Sequence, residues 1–212
     1  MTQGRRSAFE ILRAMPEAFD LSTFSRMADL ERGIAKTYLS RWSKAGHVLA
    51  AGPRVGVYYN LVRAPDSPSS RSVDALRMVY PSAVLCGASV LHAAGWTTQI
   101  PSSLTVAVTS RDSVAAMDGF EIALRPRTWY AAMHADLFAE KDFSTYGLRS
   151  LSPAAALADL YARPGQWHPD PDDLDVEPGT WGEVRDAFLA LRAREPDWLA
   201  DAVESSRAPG PR

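Results

Sequence analysis

The sequence is short of the residues that most chemistry needs. It holds one cysteine, four histidines and no long apolar run. With Cys86 alone, no internal disulfide forms. Its setting, SAVLCGAS, is apolar and carries no cation, so a buried, unactivated thiol is expected. His47, His92, His134 and His168 do not fall in a ligand pattern, and a zinc site needs several preorganised ligands, so no metal is expected. His92 lies in an apolar stretch and reads as a satisfied core or boundary histidine. No stretch approaches the roughly 18 apolar residues that span a bilayer. The start, MTQGRRSAFE, has two arginines but no apolar signal core, so export is not expected and the cytoplasm is. GxSxG, HExxH, P-loop and GxGxxG patterns are missing. No catalytic residue and no cofactor is therefore assigned, and the chain is not expected to be an enzyme.

What is present is an ordinary folded composition with an uneven charge. Of 212 residues, 46% are hydrophobic and 23% charged, for a net charge of −2. Residues 1–63 hold 10 Lys plus Arg against 5 Asp plus Glu, a net of +5, while residues 64–212 carry −7. A basic front and an acidic rear point to a polyanion as the partner of the front.

The basic part is organised around Glu31 to Gly46. At helical period Ala35, Tyr38, Leu39 and Trp42 share one arc, the core-facing side. Lys36, Thr37, Ser40 and Lys44 lie opposite, with Arg41 on the flank, and no carboxylate joins them. Gly46 is placed to end the helix. Such a face suits the major groove, where cations neutralise phosphates and short polar side chains reach base edges. The plainer reading is a core helix with a solvated basic face. Before it, Arg6 to Met15 reads as a helix with Phe9, Leu12 and Met15 inward, closed by Pro16. EAFD reads as a turn. Asp20 or Ser22 caps a second helix with Phe24, Met27 and Ala28 inward. After it come a short strand, His47 to Ala50, a turn, Ala51 to Arg54, and a second strand, Val55 to Val62. Three helices and a hairpin predict a winged helix-turn-helix over 1–63, with Arg54 near the wing tip. A winged helix that contacts only proteins has the same pattern.

Arg63 to Ser72, RAPDSPSSRS, reads as a linker, placed at 64–72. A second domain then spans 73–206. Helices are expected at Val73 to Val79 and Ser82 to Ala94. Strands are expected at Leu104 to Thr109, Phe120 to Leu124, Thr128 to Met133 and Tyr146 to Leu151. Further helices begin at Ser152-Pro153, Thr180 and Pro196. The tail, 207–212, reads as disordered. Mixed helices and strands without βαβ alternation predict an α+β protein.

Several separated blocks of the second domain occur in one order: VYPSAVLCGASVLHAAGWTTQIP, RPRTWY, GLRSLSPAAALADL and WHPDPDDLD. Together with the wing end VYYNL, they resemble the AbiEi-family antitoxins of AbiE-type (type IV) toxin–antitoxin systems, over roughly residues 6–178. The resemblance implies an N-terminal winged helix that binds inverted repeats upstream of its own operon and represses it. It implies a C-terminal antitoxin domain that counters a co-encoded nucleotidyltransferase-like toxin, directly or indirectly. Inverted repeats call for two copies, and the expectation is a monomer that pairs on the DNA.

Candidate DNA-contacting residues are thus Lys36, Thr37, Ser40, Arg41, Lys44 and Arg54, with Arg5 and Arg6 as a flanking arm. The dense acidic run Asp170, Asp172, Asp173, Asp175 and Glu177 sits among prolines. It reads as a capping and solvated loop, with a basic partner or Mg²⁺ as the other readings. Trp96 and Gln99 read as a packed corner or a partner patch. The alternative to the regulator is a protein that binds no DNA and inhibits a partner by contact.

Overall fold

The structure, a computed structural model, describes residues 7–65, 72–109, 114–137, 144–163 and 167–207. Arg5, Arg6, most of the 64–72 linker and residues 208–212 of the tail lie outside them. The architecture is α+β and forms two compact units, Met1–Ser82 with Ser113–Gly119, and Ala83–Asp112 with Phe120–Arg212.

The first unit runs α1 (Ala8–Ala14), β1 (Ala18–Asp20), α2 (Leu21–Met27), α3 (Arg32–Lys44), β2 (Val48–Ala50), β3 (Val57–Asn60) and α4 (Ser72–Val79). Local chemistry starts the helices. Ser7 and Glu10 form a reciprocal capping box on α1, with bonds of 3.2 and 2.7 Å. Asp20 accepts from the Thr23 amide at 2.6 Å and caps α2. One core gathers Ile11, Leu12, Met15, Phe19, Phe24, Ala28, Ala35, Leu39 and Val48.

Three readings of this region are corrected. Phe9 is 40% exposed and Met27 48% exposed, so Ile11 takes the inward place expected of Phe9. Phe9 instead lies edge-on to Trp42 and His47. EAFD is not a simple turn. Ala18–Asp20 is a strand, antiparallel to β3, in a sheet ordered β1-β3-β2. Three residues are too few for alternation to announce a strand, and its partner is some 40 residues away along the chain. The α4 helix, expected to open the second domain, packs against β1 and β3 in the first unit.

The second unit holds β4 (Val84–Leu85), α5 (Ala88–Ala93), β5 (Leu104–Val108), β6 (Phe120–Leu124), α6 (Arg127–Ala132), α7 (His134–Leu137), β7 (Ser144–Thr145), β8 (Leu148–Arg149), α8 (Pro153–Tyr161), α9 (Trp181–Leu191) and α10 (Asp197–Arg207). Its sheet is ordered β4-β5-β6, with β4 antiparallel and β6 parallel to β5. At its centre lies α8. Every residue from Ala154 to Leu160 is buried, and all are apolar except Asp159, whose carboxylate is ion-paired. Ser152 caps it, accepting from the Ala155 amide at 3.1 Å, and Pro153 fills the first turn.

Here too the sequence misled in places. The apolar run from Ser82 to Ala94 is not one helix but a strand, β4, then α5. Gly87 divides them at φ +66°, a conformation open to glycine. Thr128 to Met133 looks like a strand from its β-branched and aromatic residues, yet it lies in or just after α6. Trp129 is buried there, and that burial outweighs local preference. The expected strand from Tyr146 to Leu151 shrinks to β8. Tyr146 and Gly147, at φ +54° and +72°, make the tight turn from β7.

Candidate nucleic-acid interface

The α3 helix is seated by its apolar side. Ala35 and Leu39 are fully buried. Trp42 meets Phe24 edge-to-face at 5.2 Å and Tyr38 at 5.5 Å. This aromatic seam fixes the rotation of α3 about its axis, and so decides which side chains face outward.

Lys36, Thr37, Ser40, Arg41 and Lys44 are all exposed. At 100° per residue they span an arc of about 140°, centred opposite the buried seam. Lys36 to Lys44 covers about 12 Å of helix, close to the width of a major groove. No residue of α3 itself is acidic. The Thr37 hydroxyl donates to the Gly33 carbonyl at 3.1 Å, so it faces outward as an acceptor.

Arg54 is exposed in the turn between β2 and β3, at φ +61°. The turn is held from behind. A Cβ on Gly52 would lie 2.3 Å from the Ala116 carbonyl oxygen, so only glycine allows this approach. Tyr80 fixes the same segment. Its hydroxyl accepts from the Ala115 amide at 2.9 Å and donates to the Ala115 carbonyl at 3.3 Å.

Two cations were missed in sequence. Arg26 near the end of α2 and Arg32 at the start of α3 are exposed and line one shallow groove with Ser22, Ser25 and Asp29. Their place at the α2–α3 corner was available from the helix boundaries, but the groove needed the fold. Glu31, at the N-terminal end of α3, is the carboxylate nearest this helix in sequence, and it sits where a helix dipole favours it.

Elsewhere, Asp170 accepts from the Asp172 amide at 3.1 Å and caps a short 3₁₀ turn. Among the described residues no group of three His, Cys, Asp or Glu is placed to hold a metal ion. Trp96 is half-buried, and its carbonyl accepts from the Asp175 amide at 3.0 Å, while Gln99 is exposed. His92 is half-buried, a boundary position, and its Nδ1 is buried with no hydrogen-bond partner among the described residues. Cys86 does have a cationic neighbour, Arg125, contrary to the sequence reading. Burial nevertheless outweighs that guanidinium and pushes the thiol up to about 11. No described helix is long and apolar enough to cross a membrane.

No family model and no curated protein matches the sequence. The structure is similar to the crystal structure of the RV2827C protein from Mycobacterium tuberculosis. The TM-score is 0.63 at 16% identity, over 95% of this chain and 76% of that one. At that identity the likeness speaks for a shared fold alone.

Proposed function

We propose that residues 1–63 are a winged helix-turn-helix that binds duplex DNA upstream of its own operon and represses it. The second unit then counters a co-encoded nucleotidyltransferase-like toxin, in the manner of the AbiEi-family antitoxins that the sequence resembles. One observation carries the DNA-binding half. The acid-free outer face of α3 presents Lys36, Ser40, Arg41 and Lys44 together, while the β2–β3 turn presents Arg54. The element order α1-β1-α2-α3-β2-β3 supports the winged-helix reading, with α3 as recognition helix and the β2–β3 turn as wing. In this arrangement Lys36 and Lys44 neutralise phosphates. Arg41 and Ser40 face base edges, and Arg54 meets the backbone beside the groove.

The test is fluorescence anisotropy on the duplex upstream of the gene, beside a scrambled duplex, across a salt titration. A strong preference with a steep salt slope is the expected result. Equal, weak binding to both duplexes at low salt would overturn the DNA reading and leave a protein-binding module. The antitoxin half is tested separately, by rescue of cells that express the neighbouring toxin.

A further inference from the structure

The second unit contains a cavity of about 750 Å³ between the end of β6, α6, α8 and α9. That volume is in the range of small-molecule sites. Three arginines line it, Arg125, Arg163 and Arg192, against one carboxylate, Asp159.

The carboxylate is already committed. Asp159 is 1% exposed and accepts from the Trp129 indole at 2.7 Å. It also pairs with Arg163, and with Arg125 at 3.4 Å. The Arg125 side chain is only 7% exposed; one terminal nitrogen donates to the Leu124 carbonyl at 3.1 Å, and its Nε is buried with no hydrogen-bond partner among the described residues. Its guanidinium lies 5.7 Å above the Trp129 ring, which braces it. Beside it, the Cys86 thiol, pushed further up to about 11 by burial, is neutral near pH 7 and supplies no counter-charge.

Arg192, itself exposed, also lines the cavity. It follows α9 in the left-handed conformation, φ 53° and ψ 34°, at the position that glycine ordinarily takes. Among the described residues its guanidinium has no hydrogen-bond or ion-pair partner. Arg125 is buried and shares Asp159 with Arg163, and among the described residues that line the cavity there is no second acid to balance them.

We propose that this cavity binds a phosphate-bearing small molecule. Arg125 and Arg192 take the phosphate oxygens, while Asp159 and Trp129 hold Arg125 in place. Guanidinium forks match phosphate oxygens two at a time. The remaining wall, largely alanine with Thr128 at one side, accepts the rest of the ligand. The assignment does not depend on the DNA-binding reading, which concerns the other unit.

The experiment is isothermal titration calorimetry of the full chain with inorganic pyrophosphate, AMP and citrate, repeated on Arg192→Gly. Glycine suits the left-handed position, so this variant keeps the fold while losing the guanidinium. A thermal melt checks that it does. The expected result is binding of both phosphates, weakened by about tenfold or more in Arg192→Gly. Three results would overturn the proposal. No heat with either phosphate would remove the site. Equal binding by Arg192→Gly would place the anion on another basic surface, such as α3. Citrate binding as tight as the phosphates would rule out phosphate as the recognised group.

Discussion

The Asn60 carboxamide donates to the Leu12 carbonyl at 2.7 Å, joining the last residue of β3 to the last turns of α1. The same nitrogen donates to the Met15 carbonyl at 3.2 Å, and its oxygen accepts from the Arg63 amide at 3.3 Å. Asn60 is 1% exposed, so none of these bonds can be replaced cheaply by water. Asn60→Ala should destabilise the first unit by about 1–2 kcal/mol, because it removes buried bonds, while the Leu12 carbonyl still accepts from the Met15 amide at 3.0 Å and the Met15 carbonyl from Arg63 at 3.3 Å. Urea unfolding measures this. A loss below about 0.5 kcal/mol would mean that solvent reaches those carbonyls.

The two arginines of the proposed interface should behave differently. Arg41→Ala should cost about 1–3 kcal/mol on the specific duplex if it reads a guanine, with little change on scrambled DNA. Arg54→Ala should weaken binding to both duplexes and flatten the salt slope by about one unit. Unchanged affinity in Arg41→Ala would mean that another face of the unit meets DNA.

Gly52 is a steric test of how the β2–β3 turn is held. A methyl group there meets the Ala116 carbonyl at 2.3 Å and Val55 Cγ2 at 3.1 Å, so the backbone must move. Gly52→Ala should destabilise by about 1–3 kcal/mol, read as a lower melting temperature. Gly46→Ala makes a useful contrast, since nothing lies within 4 Å and only its φ of +72° resists the change. It should cost about 1 kcal/mol.

Trp129→Phe keeps an aromatic ring in the second unit but deletes the indole N–H that Asp159 accepts at 2.7 Å. The buried carboxylate keeps its arginines and loses one donor. A destabilisation of about 1–3 kcal/mol is expected by chemical denaturation. No loss would show that the carboxylate is satisfied by the guanidinium groups alone.

Alkaline pH should destabilise the second unit. Burial pushes Tyr130 and Tyr161 up to about 12 from 10.0, and Cys86 up to about 11 from 9.0. Each group holds its proton more tightly when folded. Its contribution is therefore complete below the unfolded value and is lost as pH rises through the folded one. Stability should fall between about pH 9 and 12, with tyrosinate absorbance rising together with unfolding. Phenols that titrate normally in the native state would contradict this.

Much of the candidate interface was legible in the sequence because it depends on one helix and its period. The α3 helix was read as Glu31 to Gly46 and runs Arg32–Lys44. Of the residues expected to face inward, Ala35 and Leu39 are buried and Tyr38 and Trp42 half-buried; Lys36, Thr37, Ser40 and Lys44, expected outward, and Arg41, expected on the flank, are exposed. Helix starts were equally plain where a capping side chain and a proline stand together, as at Ser152 and Pro153. Short strands were not. β1 and β4 have three and two residues, and each exists only because a distant strand supplies its hydrogen bonds.

The sequence by itself determined the basic front, the acid-free face of α3, the α+β class and the apolar run that becomes α8. These follow from composition and from periods that act within a few residues. Tertiary structure alone decided the rest. It moved α4 into the first unit, made a helix of Arg127–Ala132, and set Arg125 against Cys86 and Asp159. It also left three arginines around one carboxylate in a cavity of about 750 Å³. Charge balance in a core is a property of residues brought together from far apart. Arg125, Asp159 and Arg192 are spread over nearly seventy positions, and no local pattern announces that they share a wall.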